Sequence, residues 1–328
     1  MSTRRRTFRS LEVCLGLTAL SALGATGGEL GPGLAYGTPI VAEQLAVIPI
    51  VRTEQAKAAG DFLTLAQGLK EKLVKVSELE GGASVNEVRV ANRSDRRLLL
   101  LGGELILGGQ QDRIIGSDTV IEPKTTTTVA VFCVEHGRWQ GQGQFGHSGG
   151  LAEGKLRRVA KFDKAQGDVW GQVAKKTGAL KASSATGTYR TLATGEEGKK
   201  AAARFASVKE AFLKVPEAEV VGVAASVNGV VRSVDVFATP ELFRAYRDSL
   251  LESAFIDAAD ATPEAGKAPP TAVEVKAFMD NADVASPAEV SRNKAGHTVE
   301  KKGKDVVNST LSTQSNEPIY RSYQNAKY

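Results

Sequence analysis

The sequence predicts an α+β protein in which a largely antiparallel sheet or sandwich carries packed helices. Within residues 218–238, Asn228-Gly229 stands between two runs rich in β-branched residues, which is the pattern of a two-residue hairpin. Residues 45–135 contain several short strand-like runs, and we expect them to form the sheet together with the hairpin. The segments with helical spacing that should pack on it are 62–73, 200–213 and 241–258.

The N-terminal half of the sheet should consist of short runs separated by turn residues. The predicted strands are 45–51, 75–79, 85–90, 98–101, 105–107, 119–121 and 127–134. Residues 127–134 are apolar on both faces, which is typical of a covered central strand. Asp61 is placed to cap the helix over 62–73, and Asn92-Arg93-Ser94-Asp95 has the composition of a turn.

Residues 140–200 change in composition and are rich in glycine, glutamine, alanine, lysine and serine. Helical spacing occurs at 155–165 and 168–177, and the remainder predicts a mobile insertion. Beyond the hairpin, Thr239-Pro240-Glu241 has the cap and first-turn residues of a helix that runs to about Ala258. We therefore expect one domain over residues 38–258, interrupted by that insertion.

The C-terminal segment, 259–328, should be a linker, a short helix and a weakly ordered end. Three prolines and a glycine mark the linker at 259–271, and the helix follows at 272–280. The polar runs at 298–307 and 319–323 are only weakly strand-like. They predict either an edge hairpin or a frayed tail.

The N-terminus predicts export. Four arginines within residues 2–9 precede a mildly apolar run and small residues, as in a secretory signal peptide. Arg5-Arg6 also gives the twin-arginine form. We expect residues 1–37 to be signal peptide and leader, and the protein to be periplasmic or extracellular. Because Glu12 interrupts the apolar run, a disordered basic leader on a cytoplasmic protein is the alternative.

Charge and cysteine content narrow the class of protein. Removal of residues 1–37 takes away four arginines and two glutamates, so the net charge falls from +5 to +3 and gives little reason to expect nucleic acid as a partner. No run beyond the leader approaches the roughly 18 apolar residues of a membrane span. Cys133 is the only cysteine after the leader, so we expect an ordinary core without an internal disulfide.

Two glycine-flanked polar groups stand out between Asn92 and Trp139. The first follows a leucine-rich strand and reads Gly102-Gly103-Glu104, then Gly108-Gly109-Gln110-Gln111-Asp112-Arg113. The second reads Cys133-Val134-Glu135-His136-Gly137-Arg138-Trp139. Each group contains a carboxylate and an arginine on segments that could pair. Together the two groups predict one ligand-binding site. Its residues would be Glu104, Gln111, Arg113, Glu135, Arg138 and Trp139.

These motifs, in this order, resemble the ARG and Rhodanese-Phosphatase-superfamily-associated Protein domain family. Further matching pieces are Leu63-Thr64-Leu65, Asn92-Arg93-Ser94-Asp95-Arg96, and the Asn228-Gly229 hairpin with Pro240-Glu241-Leu242-Phe243. This chain has Asp112 where the family usually has asparagine, which changes the local charge. The family's name records association with ADP-ribosylglycohydrolase and with the rhodanese and phosphatase superfamily. The resemblance implies a fold and a site, but no established activity.

The two arginines allow two interpretations. Arg113 and Arg138 could form a fork for a carboxylate or phosphate, since guanidinium presents paired donors in fixed geometry. The neighbouring glycines would then let backbone amides approach the anion. Alternatively, Glu104 and Glu135 pair with these arginines and brace two strands. Trp139, like Trp170, could line a pocket for a flat ligand or simply cover the edge of the core.

Cys133 and the histidines are weaker candidates for chemistry. A phosphatase loop has five residues between its cysteine and arginine, whereas Cys133 and Arg138 are separated by four, with Glu135 among them. We therefore interpret Cys133 as a small buried core residue and not as a nucleophile. Cys133, His136 and His147 have poor spacing for zinc, so we expect no metal. No cofactor is predicted either.

Three functions fit these patterns. The first is an exported binding or sensor domain for a small anionic ligand, such as a nucleotide or an ADP-ribose derivative. The second is a hydrolase or transferase that uses Glu104 or Glu135 as a general base. The third is a structural envelope protein in which the polar motif is a brace. The sequence does not indicate any protein partner.

Overall fold

A computed structural model describes residues 29–31, 33–54, 60–79, 86–141, 143–216 and 219–328. The strands in these ranges are β1 (Glu29–Gly31), β2 (Leu34–Tyr36), β3 (Ile40–Ala42), β4 (Leu45–Arg52), β5 (Phe62–Thr64), β6 (Val74–Ser77), β7 (Glu87–Asn92), β8 (Arg97–Leu100), β9 (Glu104–Gly108), β10 (Arg113–Ile115), β11 (Thr119–Ile121), β12 (Thr126–Cys133), β13 (Gln144–Leu151), β14 (Val220–Val227), β15 (Val230–Phe237), β16 (Pro287–Asn293), β17 (Gly296–Lys302), β18 (Val306–Ser312) and β19 (Pro318–Asn325).

The helices in the same ranges are α1 (Leu65–Lys70), α2 (Gly154–Arg158), α3 (Gln166–Ala179), α4 (Arg190–Ala193), α5 (Glu196–Arg204), α6 (Ala206–Phe212), α7 (Pro240–Ala259) and α8 (Ala272–Asp283). A π-helical turn, Val159–Asp163, continues α2. The predicted α+β class is confirmed. None of the described helices is long and apolar enough to cross a membrane.

The largest element is an antiparallel sheet of ten strands. Its order is β1-β2-β4-β14-β15-β19-β18-β17-β16, and β3 also pairs with β4. The β14–β15 hairpin is the one that the sequence predicts, with Asn228 and Gly229 at positive φ in its turn. Every residue of β14 is buried, because apolar clusters cover both faces of the sheet.

Helices α7 and α8 lie on opposite faces of this sheet. The N-cap of α7 is Thr239, whose side chain accepts the Leu242 N–H, and Pro240 occupies the first turn. Its apolar stripe packs on β14 and belongs to the same buried cluster as Phe237. Helix α8 begins with a capping box formed by Thr271 and Glu274 and contributes to the second cluster.

Six strands close into a small barrel in the order β10-β12-β7-β6-β13-β9. Val76, Val88, Ile106, Ile115 and Val131 belong to one buried cluster that joins its strands. A three-stranded sheet, β11-β8-β5, shares this cluster, and β5 pairs with β8 in parallel. The polar motifs after β9 and after β12 lie at the end of this barrel, whereas Gly102-Gly103-Glu104 stand at the start of β9.

The structure differs from the sequence-based expectations in three segments. The first is residues 62–73, where only α1 is helical. Phe62–Thr64 form β5 instead, and Thr64 rather than Asp61 caps the helix by accepting the Gln67 N–H. The pairing of β5 with β8 explains the difference, because residues 62–64 in extended conformation can form backbone hydrogen bonds with β8.

The second segment is residues 140–200, which we expected to be a mobile insertion. It contains β13, a barrel strand, and helices α2 to α5. Leu156, Val169, Val173 and Leu192 are buried with residues from the outer side of the barrel, such as Phe132. These few apolar side chains are enough to hold a segment whose composition is otherwise that of a loop.

The third difference concerns the ends of the domain. Strand β19 lies between β15 and β18, so the C-terminal segment forms part of the middle of the large sheet and not a frayed tail or an isolated edge hairpin. At the other end, β1 and β2 lie within the expected leader, and β2 pairs with β4. Removal of residues 1–37 as a leader would remove both strands. The rest of the expected signal peptide, residues 1–28, lies outside the described residues.

Candidate functional site

Two glycines place the first polar motif at the end of the barrel. Gly108 and Gly109 both have positive φ, at 125° and 56°. A side chain at Gly108 would overlap the backbone of Gln144, and one at Gly109 would overlap the ring of Phe145. The turn between β9 and β10 therefore lies directly against β13. This close approach brings the next residues, Asp112 and Arg113, onto the barrel end.

Asp112 is the centre of a dense hydrogen-bond network and is fully buried. Its Oδ2 accepts hydrogen bonds from Thr188 Oγ1 at 3.0 Å and from Arg190 Nε at 2.9 Å. Its Oδ1 accepts the Gly108 N–H at 2.8 Å and also contacts Nη2 of Arg190 and of Arg138. The hydrogen bond to Asp112 raises the pKa of Arg190. This carboxylate holds three chain segments together.

Arg138 ties the second motif to the first. Its Nε donates to Glu135 Oε2 at 2.9 Å, and its Nη2 lies 2.7 Å from the same oxygen. Its Nη1 donates to the carbonyls of Gly109 and Gln140, each at 2.9 Å. Glu135 in turn accepts the Asp112 N–H at 3.2 Å. The guanidinium of Arg138 is therefore occupied by groups of the protein itself, as a brace would be.

Arg113 differs from its neighbours. It is fully buried, and its Nη1 donates to Gln111 Oε1 at 3.1 Å. Its Nη2 lies 3.6 Å from Glu78 Oε1, which is an ion-pair distance but too long for a hydrogen bond. The guanidinium carbon lies 5.9 Å from the ring centroid of Trp139, which is 50% exposed. Nε and Nη2 of Arg113 have no hydrogen-bond partner among the described residues.

Glu104 does not join this group. Its Oε2 accepts the Leu101 N–H at 2.7 Å, and only 3% of the residue is exposed. Burial is the main cause that raises the pKa of Glu104, and Asp118 acts in the same direction, while the Leu101 N–H and Arg157 lower it; together they bring the pKa to about 8. The structure thus assigns Glu104 to a second polar cluster, between the barrel and the large sheet.

Two buried ion pairs form the rest of the second cluster. Lys161 Nζ lies 2.8 Å from Asp118 Oδ2, and Arg157 Nη2 lies 2.6 Å from Asp235 Oδ1. Tyr320 accepts from Arg157 Nη2 at 2.9 Å and donates to Asp235. Although burial lowers the pKa of Arg157, Asp235 raises it above its ordinary value. All five groups are essentially inaccessible, so the cluster joins elements rather than facing solvent.

The other glycine pair of the motif, Gly102-Gly103, makes room for the two cations of this second cluster. A Cβ at Gly102 would overlap the side chain of Lys161, and one at Gly103, where φ is 100°, would overlap that of Arg157. The stems of both cations thus lie across the Gly102-Gly103 turn. Of the predicted ligand-binding residues, the structure brings together Gln111, Arg113, Glu135, Arg138 and Trp139, but not Glu104.

The order of these motifs along the fold agrees with a comparison against protein families. The profile of the ARG and Rhodanese-Phosphatase-superfamily-associated Protein domain matches residues 33–324, from β2 to β19. The chain belongs to this family. The match covers both polar clusters and confirms the resemblance that the motifs indicate. No curated protein and no solved structure matches the chain.

In this family member Cys133 is a buried side chain of the barrel end. Burial raises its pKa, and the neighbouring Arg113 only partly opposes this effect. Its backbone N–H and carbonyl are bound by the amide of Gln166 at 2.9 and 2.8 Å. His136 stands edge-on to Trp170 at 4.6 Å between ring centroids. The described residues contain no group of three or more His, Cys, Asp or Glu placed to hold a metal ion.

Sequence reasoning missed a third buried network, beside α2. Tyr189 donates to Glu153 Oε2 at 2.6 Å, and Gln172 donates to the other oxygen of this carboxylate at 2.7 Å. Lys176 Nζ lies 2.6 Å from Asp260 Oδ1. Burial raises the pKa of Glu153, which is fully enclosed. Because these side chains are far apart in sequence and form no motif, only the fold reveals them.

Sequence reasoning also missed an open cleft at one end of the large sheet. Its volume is about 630 Å³, and it lies where β4 and β15 end and β19 begins. The segment before β5, the start of β8 and the turns β16–β17 and β18–β19 complete its walls. Its charged lining residues are Arg52, Arg97, Lys294, Arg321, Glu54 and Glu317. None of these was a candidate, because single basic residues at strand ends have no recognisable spacing.

Proposed function

We propose that the protein is a binding module for a small anionic ligand of about nucleotide size, which is held in the cleft at the end of the large sheet. One observation carries this proposal. The cleft has a volume of about 630 Å³, and the described residues that line it include four basic and two acidic side chains. Ligand sites in proteins usually have volumes of about 300–1,000 Å³ and a few convergent polar groups.

The charges within the cleft favour an anion. Arg52 and Arg321 come from strands of the same sheet, and their like charges act on each other. Burial lowers the pKa of Arg52, Arg321 lowers it further, and Glu54 only partly compensates. A phosphate or carboxylate between the two guanidinium groups would relieve this repulsion. Such anions also match the fixed fork of donors that each arginine presents.

The motif residues support an anionic ligand less well. Arg138 and Arg190 already contact Glu135 and Asp112, so an incoming anion would have to displace a protein carboxylate. The bracing interpretation of these residues is therefore the second candidate role, and it is compatible with ligand binding in the cleft. Breaking such buried pairs costs roughly 3–5 kcal/mol.

Catalysis by a glutamate base has weaker support. With its pKa raised to about 8, Glu104 is mostly protonated at neutral pH, and it is 3% exposed with its Oε2 bound to the Leu101 N–H, so a substrate has little access to it. Glu135 Oε2 already accepts hydrogen bonds from the Arg138 guanidinium and from the Asp112 N–H. Binding without reaction agrees better with these contacts. The exported location stays a prediction, because residues 1–28 lie outside the described part of the chain.

Calorimetric titration with pyrophosphate and with ADP would test the proposal. Lys294 is exposed in the turn between β16 and β17 and lines the cleft. Lys294→Ala should weaken binding several-fold, and Arg321→Met should weaken it about tenfold or more, which corresponds to about 1.4 kcal/mol. Thermal unfolding of both variants would show that the fold is intact.

Lys199→Ala is the matched control, because it removes the same charge from the exposed face of α5, away from the cleft. This control should bind the probes like the unmodified protein. The proposal fails if neither probe binds at millimolar concentration. It also fails if the Lys294 and Lys199 variants lose affinity equally, since that result would indicate only the general charge of the protein.

A further inference from the structure

The barrel end contains a pair of donor atoms that bind none of the described residues. Arg113 is fully buried, yet its Nε and Nη2 have no hydrogen-bond partner among the described residues. Leaving a buried donor unpaired is unfavourable, and more so when the donor belongs to a charged group. Native proteins rarely keep such groups, so each one calls for a bound water or a ligand.

The unpaired atoms of Arg113 form a recognition edge. Arg190 uses its own Nε and Nη2 to hold both oxygens of Asp112. Arg138 directs the same two nitrogens to Glu135. In Arg113 this edge has no partner among the described residues, since Nη1 alone donates a hydrogen bond to one of them, Gln111. A planar acceptor would fit the edge as a carboxylate does in the two neighbours.

Two acceptors beside this edge are also unused. Glu78 Oε2 and Gln110 Oε1 are buried without a partner among the described residues. Glu78 lies next to Arg113, since its Oε1 is 3.6 Å from Nη2, and this same oxygen accepts the Gln110 N–H at 3.1 Å. The side-chain charges of Arg113 and Glu78 cancel. A guest that offers both an acceptor and a donor would satisfy this pair better than an ion of either sign.

Trp139 adds an aromatic surface to the same place. Its ring lies over the Arg113 guanidinium, with 5.9 Å between the ring centroid and the guanidinium carbon. Half of this residue is exposed, so it is the part of the group that reaches solvent. Flat rings stack favourably on tryptophan.

We infer that the barrel end beneath Trp139 is a second ligand site, which takes a neutral planar group with adjacent acceptor and donor atoms, such as a primary carboxamide or the edge of a nucleobase. The carbonyl oxygen of the guest accepts from the free edge of Arg113, and its N–H group donates to Glu78. This site does not depend on the anion cleft, which is lined by other residues.

Tryptophan fluorescence gives a direct test. The chain has two tryptophans, so Trp170→Phe leaves Trp139 as the only one. Titration of this variant with benzamide should change the emission in a saturable way. Benzoate has the same ring but a carboxylate that would meet Glu78, so it should bind at least tenfold more weakly. Addition of Arg113→Lys keeps the charge but removes the edge, and should abolish the benzamide response.

A second variant keeps the inference testable if the Arg113 change prevents folding. Trp139→Ala removes the exposed ring only, and calorimetry with benzamide should show at least a tenfold loss of affinity against the unmodified protein. Lys294→Ala in the anion cleft should leave benzamide binding unchanged. The inference is overturned if benzamide and benzoate behave alike, if the response does not saturate, or if a crystal grown with benzamide shows only ordered water at Arg113.

Discussion

Replacement of Glu104 by glutamine tests the charge state of the second polar cluster. The pKa of Glu104 is raised from its ordinary 4.5 to about 8, mainly by burial and also by Asp118. A carboxyl group of this kind keeps its proton in the folded protein while the unfolded chain ionises. Its contribution to stability is therefore complete below about pH 4.5 and is lost as the pH rises toward 8.

The size of the effect follows from the two pKa values. A rise from 4.5 to about 8 corresponds to roughly 5 kcal/mol in total, at about 1.4 kcal/mol per pKa unit. Roughly 3 kcal/mol of this has been lost at pH 7. Glu104→Gln retains an oxygen that can accept the Leu101 N–H but cannot ionise. Relative to the unmodified protein, the variant should therefore gain roughly 3 kcal/mol between pH 4.5 and pH 7.

Urea unfolding of both proteins at pH 5, 6, 7 and 8 would measure this gain. The quantity of interest is the difference between the two free energies of unfolding at each pH, because other titrating groups cancel in it. Glu210→Gln, at an exposed position of α6, should show no comparable trend. A difference that stays constant from pH 5 to pH 8 would refute the reasoning, since Glu104 would then be ionised in the folded protein.

Three further predictions concern other buried groups. Asp112→Asn should lower the free energy of unfolding by about 3 kcal/mol in urea titrations, at the lower end for buried pairs because Arg190 is partly exposed. Gly103→Ala should lower the melting temperature, since the strain at a φ of 100° costs roughly 1–3 kcal/mol and the new methyl would overlap Arg157. Iodoacetamide at pH 8 should label Cys133 only after urea unfolding, because burial raises the thiol pKa and excludes the reagent; rapid labelling of the folded protein would contradict this.

The parts of the fold that the sequence predicts well are those specified by local chemistry. The Asn228-Gly229 turn and the Thr239-Pro240 helix start depend on residues next to each other in the chain. The errors arise where distant pairing decides. Phe62–Thr64 have helical spacing but pair with β8, and β19 is held by β15, some eighty residues earlier in the chain. The local propensity of a segment does not tell which distant strand it will pair with.

The same limit applies to the candidate site. The glycine-flanked motifs correctly place Gln111, Arg113 and Arg138 in one region, because neighbouring strands of the barrel carry them. Their partners Thr188 and Arg190 come from a segment whose composition suggested a loop. The anion cleft is still harder to predict, since its basic residues belong to three separate strands and one turn.

The question left open by the motif, whether its arginines hold a ligand or the protein itself, has a different answer for each arginine. Arg138 makes hydrogen bonds through all three of its nitrogens, to protein carboxylates and carbonyls. Arg113 is more deeply buried than Arg138, yet its Nε and Nη2 have no hydrogen-bond partner among the described residues. Both arginines follow a carboxylate-containing motif, so residue type and spacing cannot separate a brace from a site. The count of satisfied donors does separate them, because a finished brace leaves nothing for a ligand to bind.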